Sequence, residues 1–239
     1  MKDIVKRTRA LEEKLALLFS VRRSFSEHLV KWEDGFLPDK YDHNCFFYSA
    51  QLDLREYEKA LAYQLEKGAG FIKLEGDRPL DDPFGLEEGV TLTMALVKET
   101  PDWKTNGGLT YRRPDLSEIE AIERRHFGPV YGENFTVRNV RRLYEKLDYH
   151  GAYFGSTLAG SCYSFSADGI TCLDGLIVDL SNRHRGVASS LIRHIKKAHQ
   201  QDTLILHADE EDTPKDMYKK MGFETVDRLY EYIRTDLSC

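Results

Sequence analysis

The stretch Arg183-His184-Arg185-Gly186-Val187-Ala188 decides how this chain is read. An apolar run, Leu176-Ile177-Val178, precedes it, and a helical pattern follows. Val187, Leu191, Ile195 and Ala198 are spaced to share one helix face, with Ala188 and Ile192 beside them. The local order is therefore strand, tight loop, helix. Small residues in Gly186-Val187-Ala188 let a ligand come close to the backbone. The first N–H groups of a helix have no partner inside it, and its dipole favours an anion there. With two arginines flanking the loop, the chemistry suits a pyrophosphate. On the loop alone, an ordinary helix start preceded by glycine is an equal reading.

Two familiar phosphate loops are excluded. No Gly-Lys-Ser/Thr follows, so the stretch is not a P-loop. A dinucleotide fingerprint needs three glycines and a later acidic residue on a strand, which are missing.

The 239 residues suffice for one large or two small domains. At 41% hydrophobic and 31% charged residues the composition is that of a soluble globular protein. A net charge of −6 argues against nucleic-acid binding and mildly favours a cationic substrate such as an amine. The charged start, Met1 to Phe25, lacks the apolar core of a signal peptide, and no segment reaches membrane-spanning length. Cys45, Cys162, Cys172 and Cys239 show neither a Cys-x-x-Cys pair nor metal-like spacing. The expectations are reduced thiols in a cytoplasmic protein, no metal, and Cys162 and Cys172 as small core residues. The histidines are given no metal role, because none pairs with a carboxylate at ligand spacing.

Lys98 to Gly108, with Pro101 and Gly107-Gly108, is the best linker. It divides the chain into a smaller α+β domain, 1–106, and a second domain, 107–239. In the second, Leu109-Thr110-Tyr111 reads as a strand. Ser117 and Glu120 read as a capping box opening a helix that runs to about Arg125. Val137, Val140, Tyr144 and Leu147 mark a second helix. Gly151–Gly155 and Leu158–Phe165 read as paired strands, and Thr171–Val178 as a third. Thr203–His207 is a further strand, Thr213-Pro214 starts a short helix ending near Gly222, and Phe223–Tyr232 is the last strand. In the first part, Leu11, Leu15 and Leu18 share a helix face, and Asp53 with Glu56 caps a helix ended by Gly68 and Gly70. Phe71–Leu74 and Val90–Val97 look like strands. Tyr41-Asp42-His43-Asn44 forms no recognisable catalytic set.

The spacing Arg-x-x-Gly-x-Ala resembles the (Gln/Arg)-x-x-Gly-x-(Gly/Ala) loop on which GNAT acetyltransferases hold the pyrophosphate of acetyl-CoA. Met217-Tyr218-Lys219-Lys220-Met221-Gly222-Phe223 resembles the family's Leu-Tyr-x-x-x-Gly-Phe segment. The order of elements resembles the GNAT fold over roughly Leu109 to Cys239. The resemblance implies an α+β protein with a mixed sheet, the GNAT acyl-CoA N-acyltransferase fold in the C-terminal half, and acetyl-CoA as co-substrate. The first part fits loosely a degenerate GNAT-like unit that has lost its phosphate loop.

The resemblance also implies roles. Main-chain groups of Ile177, Val178 and Asp179 would pair with the pantetheine arm like an added strand. Main-chain N–H groups of Arg185, Gly186, Val187, Ala188 and Ser189 would hold the pyrophosphate, with charge added by Arg183 and Arg185. Tyr218 would protonate the leaving thiolate. Asp174 occupies the place on the fourth strand where many relatives carry a glutamate, and would take the amine's proton. Asp179 and Glu210 stay open as alternatives. One departure is clear: seven and four residues before Tyr218 the family often has Asn and Ala, where this chain has Glu211 and Pro214. A side-chain amide contact to the pantetheine is then either offset by Asp212 and Thr213 or absent. The function implied is direct acetyl transfer to an amine of a small molecule or protein, with a homodimer left open. The rival reading is a non-catalytic acyl-CoA-binding or regulatory module derived from the same fold.

Overall fold

The computed structural model describes residues 2–98, 100, 103–212 and 214–237. Its elements, in chain order, begin with α1 (Lys2–Leu17), β1 (Val21–Ser24), β2 (Leu29–Glu33), β3 (Phe46–Tyr48), α2 (Leu54–Glu66), β4 (Ile72–Gly76) and β5 (Glu87–Leu96). Then come β6 (Thr110–Arg112), α3 (Leu116–Tyr131), α4 (Glu133–Lys146), β7 (Asp148–Phe154), β8 (Thr157–Ala167) and β9 (Ile170–Val178). The chain closes with α5 (Val187–Ala198), β10 (Thr203–Asp209), α6 (Pro214–Met221) and β11 (Phe223–Arg234). Short 3-10 turns at Tyr41–His43 and Leu180–Asn182 complete it. The class is α+β with a mixed sheet, as the sequence implied.

All described strands join in one 11-stranded sheet of order β1-β2-β3-β4-β11-β5-β10-β9-β8-β7-β6. Apart from β6 at one edge, that order is symmetric about the central β11–β5 pair. On one side β3 and β4 run parallel, joined through α2; on the other β9 and β10 run parallel, joined through α5. The two halves trade their last strands. β5, from the first half, lies between β10 and β11, and β11, from the second, pairs with β4.

Period-two alternation sets what each strand buries. Along β10, Leu204, Leu206 and Ala208 enter the cluster holding Leu191, Ile192 and Ile195 of α5 with Tyr218 and Met221 of α6. Ile205 turns to the other cluster, with Leu11 of α1, Ile170 and Cys172. Cys162 and Cys172 are core residues, 0% and 2% exposed. On α5 the predicted face is buried except Ala198, which is exposed where the helix ends.

Two boundaries differ from expectation. α3 starts at Leu116, because Asp115 and Glu118, rather than Ser117 and Glu120, close the box: the Asp115 N–H donates to Glu118 Oε2 at 2.8 Å. It also runs past Arg125 to Tyr131. The predicted cap Thr213, and Pro101 in the linker, lie outside the described residues.

The end of the linker is docked against α5. The Ser189 hydroxyl donates to the Lys104 carbonyl, the Asn106 N–H donates to Ser190 Oγ at 2.9 Å, and Asn106 Nδ2 donates to the Arg185 carbonyl at 3.1 Å. Residues 104–106 therefore brace the start of α5.

Candidate active site

β9 and β10 are parallel partners only over Ile170–Leu173 and Thr203–Leu206. Beyond that point they splay: β10 stays on β5, while β9 stays on β8 through Ile177 and Val178. The β10-facing edge of Gly175–Val178 therefore has no strand partner, and an extended ligand can pair with it. A bulge marks the parting, with Gly175 and Leu176 of β9 opposite Cys162 alone. Gly175 is at φ +60°, and a Cβ there would meet the Tyr163 ring at 2.4 Å, so only glycine fits.

A pocket of about 220 Å³ fills the splay. Leu173 to Leu176 line it from β9, Leu206 to Asp209 from β10, Phe127 from α3, and Tyr218 from α6. Asp174 and Tyr218, the two sequence-predicted chemical residues, thus share one pocket. Burial, then the nearby Asp174, push the Tyr218 phenol up to about 12. It is a protonated donor at neutral pH. Asp174 is exposed to the pocket and accepts from Tyr163 Oη at 3.2 Å and from the Gly175 N–H at 2.6 Å.

The loop stands at the end of the same splay. Asp179 caps the Leu180–Asn182 turn, accepting from Ser181 Oγ at 2.7 Å and from Arg125 Nη2 at 3.0 Å. His184 and Gly186 adopt φ +61° and +75°. Gly186 caps α5 without a side-chain acceptor, and the main-chain N–H groups of His184, Arg185 and Gly186 find no partner among the described residues. Arg183 is exposed and makes no ion pair among the described residues. Arg185 is held by Asn182 Oδ1 at 2.9 Å and stacks over Phe154. Val187 is buried against the core, Ala188 half-buried, and the Ser189 hydroxyl is occupied by Lys104, leaving Ser189 only its main chain for an anion. A helix N-terminus with free N–H groups beside arginines fits a pyrophosphate.

The matching place in the first half is built differently. α2 is capped by Asp53, whose carboxylate accepts the Glu56 N–H at 2.9 Å and puts negative charge where an anion would sit. β3 and β4 do not part as β9 and β10 do: they stay paired to their ends, with Tyr48 opposite Gly76, and a Cβ on Gly76 would lie 2.2 Å from the fully buried Tyr48 ring.

One residue was missed by the sequence reading. Glu123, on α3 one turn before Phe127, is 7% exposed and has neither hydrogen bond nor ion pair among the described residues. Burial pushes its carboxyl up to about 7, with Lys40 opposing and Asp174 adding to the shift. Its signal was present: Glu123 falls four residues after Ile119 and next to Ile122, both fully buried, on the apolar side of α3. The segment given no role also acquires one. Lys40, just before Tyr41, donates to Asn139 Oδ1 of α4 at 2.9 Å, while Asp42 joins Glu75 and Glu231 around Lys73 Nζ at 2.6–2.8 Å. That carboxylate cluster already holds a cation in Lys73.

Residues 149–225 match the family model of the acetyltransferase (GNAT) domain. That stretch therefore carries a GNAT domain. Among solved structures, a conserved protein of unknown function from Staphylococcus epidermidis aligns with a TM-score of 0.78 at 16% identity, over 91% of this chain and 95% of the other. A GCN5-related N-acetyltransferase from Kribbella flavida aligns with a TM-score of 0.65 at 12% identity, over 98% and 95%. A tandem GNAT protein from the clavulanic acid biosynthesis pathway aligns with a TM-score of 0.51 at 14% identity, over 92% and 80%. The shared fold therefore spans both halves. No curated protein matches the sequence, and no helix among the described residues is long and apolar enough to cross a membrane.

Proposed function

We propose that this protein is an acetyl-CoA-dependent N-acetyltransferase with one active site, in the splay between β9 and β10. The observation that carries the reading is the convergence of three features there: an open strand edge at Gly175–Val178, an uncapped helix start at Gly186, and Tyr218 facing Asp174. Ile177, Val178 and Asp179 would pair with the pantetheine arm. The N–H groups from Arg185 to Ser189, with Arg183 and Arg185, would hold the pyrophosphate.

The acceptor amine would attack the thioester carbon directly, without an enzyme-bound acyl group. As the C–N bond forms and the C–S bond breaks, Tyr218 gives its proton to the sulfur. The amine's proton passes toward Asp174, which lines the pocket, and Glu123, a buried carboxyl close enough to sense it. Asp174 can hold the ammonium, and Glu123, with its carboxyl near 7, is the better matched acceptor of the proton at neutral pH. The first half is, on this reading, a GNAT-like unit that keeps the strand pattern but not the cofactor. Three buried free thiols support a reducing, cytosolic setting.

The test is thiol release from acetyl-CoA across a panel of amines, for wild type and Tyr218→Phe. The variant keeps the ring in the core and removes the proton. A fall in kcat of about 10²-fold or more with unchanged acetyl-CoA affinity is expected. Acetyl-CoA binding with no turnover by wild type on any amine would favour a binding module instead.

A further inference from the structure

Resting on that reading, the walls and mouth of the pocket narrow the acceptor class. α5 and α3 lie on opposite faces of the sheet. Cys162 of β8 joins the core cluster of Leu191 and Ile192 from α5, while the next residue, Tyr163, joins that of Ile119 from α3. A donor whose pyrophosphate sits at the start of α5 leaves the α3 side of the pocket to the acceptor. Asp174 turns to that side, because it accepts from Tyr163 Oη at 3.2 Å, and Phe127 of α3 lines the pocket there.

Phe127 is the first of three rings that continue from the pocket over the surface. The Phe127 and Tyr131 centroids are 6.1 Å apart, and those of Tyr131 and Phe135 6.2 Å. Tyr131 is 57% exposed, and its neighbour Val130 69%. A single exposed apolar side chain is ordinary, but a contiguous aromatic strip leading out of a pocket marks a binding surface. The pocket itself supplies the charge. Asp174, Asp209 and Asp212 line it, and no Lys or Arg does. Asp174 and Asp209 are exposed and form no ion pair among the described residues. Walls of one sign draw in the opposite sign and repel their own. An apolar lip on an anionic pocket is complementary to a cation carried on an apolar body. A polyamine would meet the carboxylates and leave the rings bare, and an amino acid would bring a carboxylate among three others.

We propose that the acceptor is a small hydrophobic amine without a carboxylate, its ammonium drawn in by Asp174 and Asp209 and its apolar body lying on Phe127 and Tyr131. The ammonium gives up its proton before the amine attacks.

The experiment measures thiol release from acetyl-CoA with three acceptors: phenethylamine, ethylamine, which lacks the ring, and phenylalanine, which adds the carboxylate. Acetyl-CoA binding is measured separately by calorimetry. Wild type should favour phenethylamine over each of the others by at least about tenfold in kcat/KM, the low end of what burying a phenyl ring supplies. Tyr131→Ala should shrink the preference over ethylamine severalfold through KM, and Tyr131→Phe should keep it. Equal turnover of ethylamine, or a preference for phenylalanine, overturns the proposal, and so does a folded Tyr131→Ala that keeps the full preference. Should Tyr131→Ala not fold, the wild-type comparison decides. Transfer to polar or protein amines but not to phenethylamine overturns the proposal and leaves the transferase reading standing. Failure to bind acetyl-CoA overturns that reading and the proposal with it.

Discussion

A Cβ on Gly186 would stand 2.8 Å from the carbonyl oxygen of Lys104. The start of α5 and the connection between the halves are packed so closely that only hydrogen fits between them. Gly186 also sits at φ +75°, where a side chain costs about 1–2 kcal/mol. Gly186→Ala should therefore lower stability by on the order of 2 kcal/mol in denaturant unfolding. Acetyl-CoA affinity should fall with it, by about tenfold or more, because the displaced N–H groups no longer converge. Unchanged affinity in a folded variant would separate the loop from cofactor binding.

Glu123 should dominate the pH profile. A base with a carboxyl near 7 must lose its proton, so kcat/KM should rise with pH through about 7 and level off above. Glu123→Gln should remove that limb and lower kcat by about 10²-fold. Stability gives an independent readout. The folded carboxyl lies above its unfolded value, so the stability linked to the bound proton is full below about pH 4 and is lost as pH rises through about 7. Glu123→Gln should then be the more stable protein at pH 8, by up to about 3 kcal/mol. A wild-type profile flat between pH 6 and 8 would count against this assignment.

A second buried charge joins the halves. Asp34, with no exposed side-chain surface, accepts from Arg142 of α4, from the N–H groups of Phe36 and Leu37, and lies 2.9 Å from His43 Nδ1. Burial opposes its ionisation, but these donors outweigh burial and hold the carboxyl below its usual range. Asp34→Asn or Arg142→Met should each cost about 3–5 kcal/mol in chemical unfolding, because each strands a buried charge or donor. The double variant should cost less than the sum. The folded carboxyl is depressed, so its contribution is present above about pH 4 and is lost as pH falls further. Additive losses would mean the two residues act separately.

What the sequence made legible was local. The loop at 183–188, the strand before it and the helix after it lie within a short run, and their turn chemistry and periodicity are written there. Asp174 and Tyr218 could be placed on one strand and one helix for the same reason. The first half was harder. β1 is four residues, Val21-Arg22-Arg23-Ser24, all exposed, and carries no alternating pattern. The exchange of β5 and β11 depends on pairing between distant segments, which no local window shows. Glu123 read as one of several glutamates on a charged helix. Only the packing of α3 against the sheet and α4 makes it a buried acid.

The most direct measurement is calorimetric titration of the full chain with acetyl-CoA. The account predicts one site per chain, with binding weakened in Gly186→Ala and retained in Tyr218→Phe, because α5 has an open N-terminus and α2 is closed by Asp53. Absence of binding at millimolar acetyl-CoA, or two sites per chain, would contradict it.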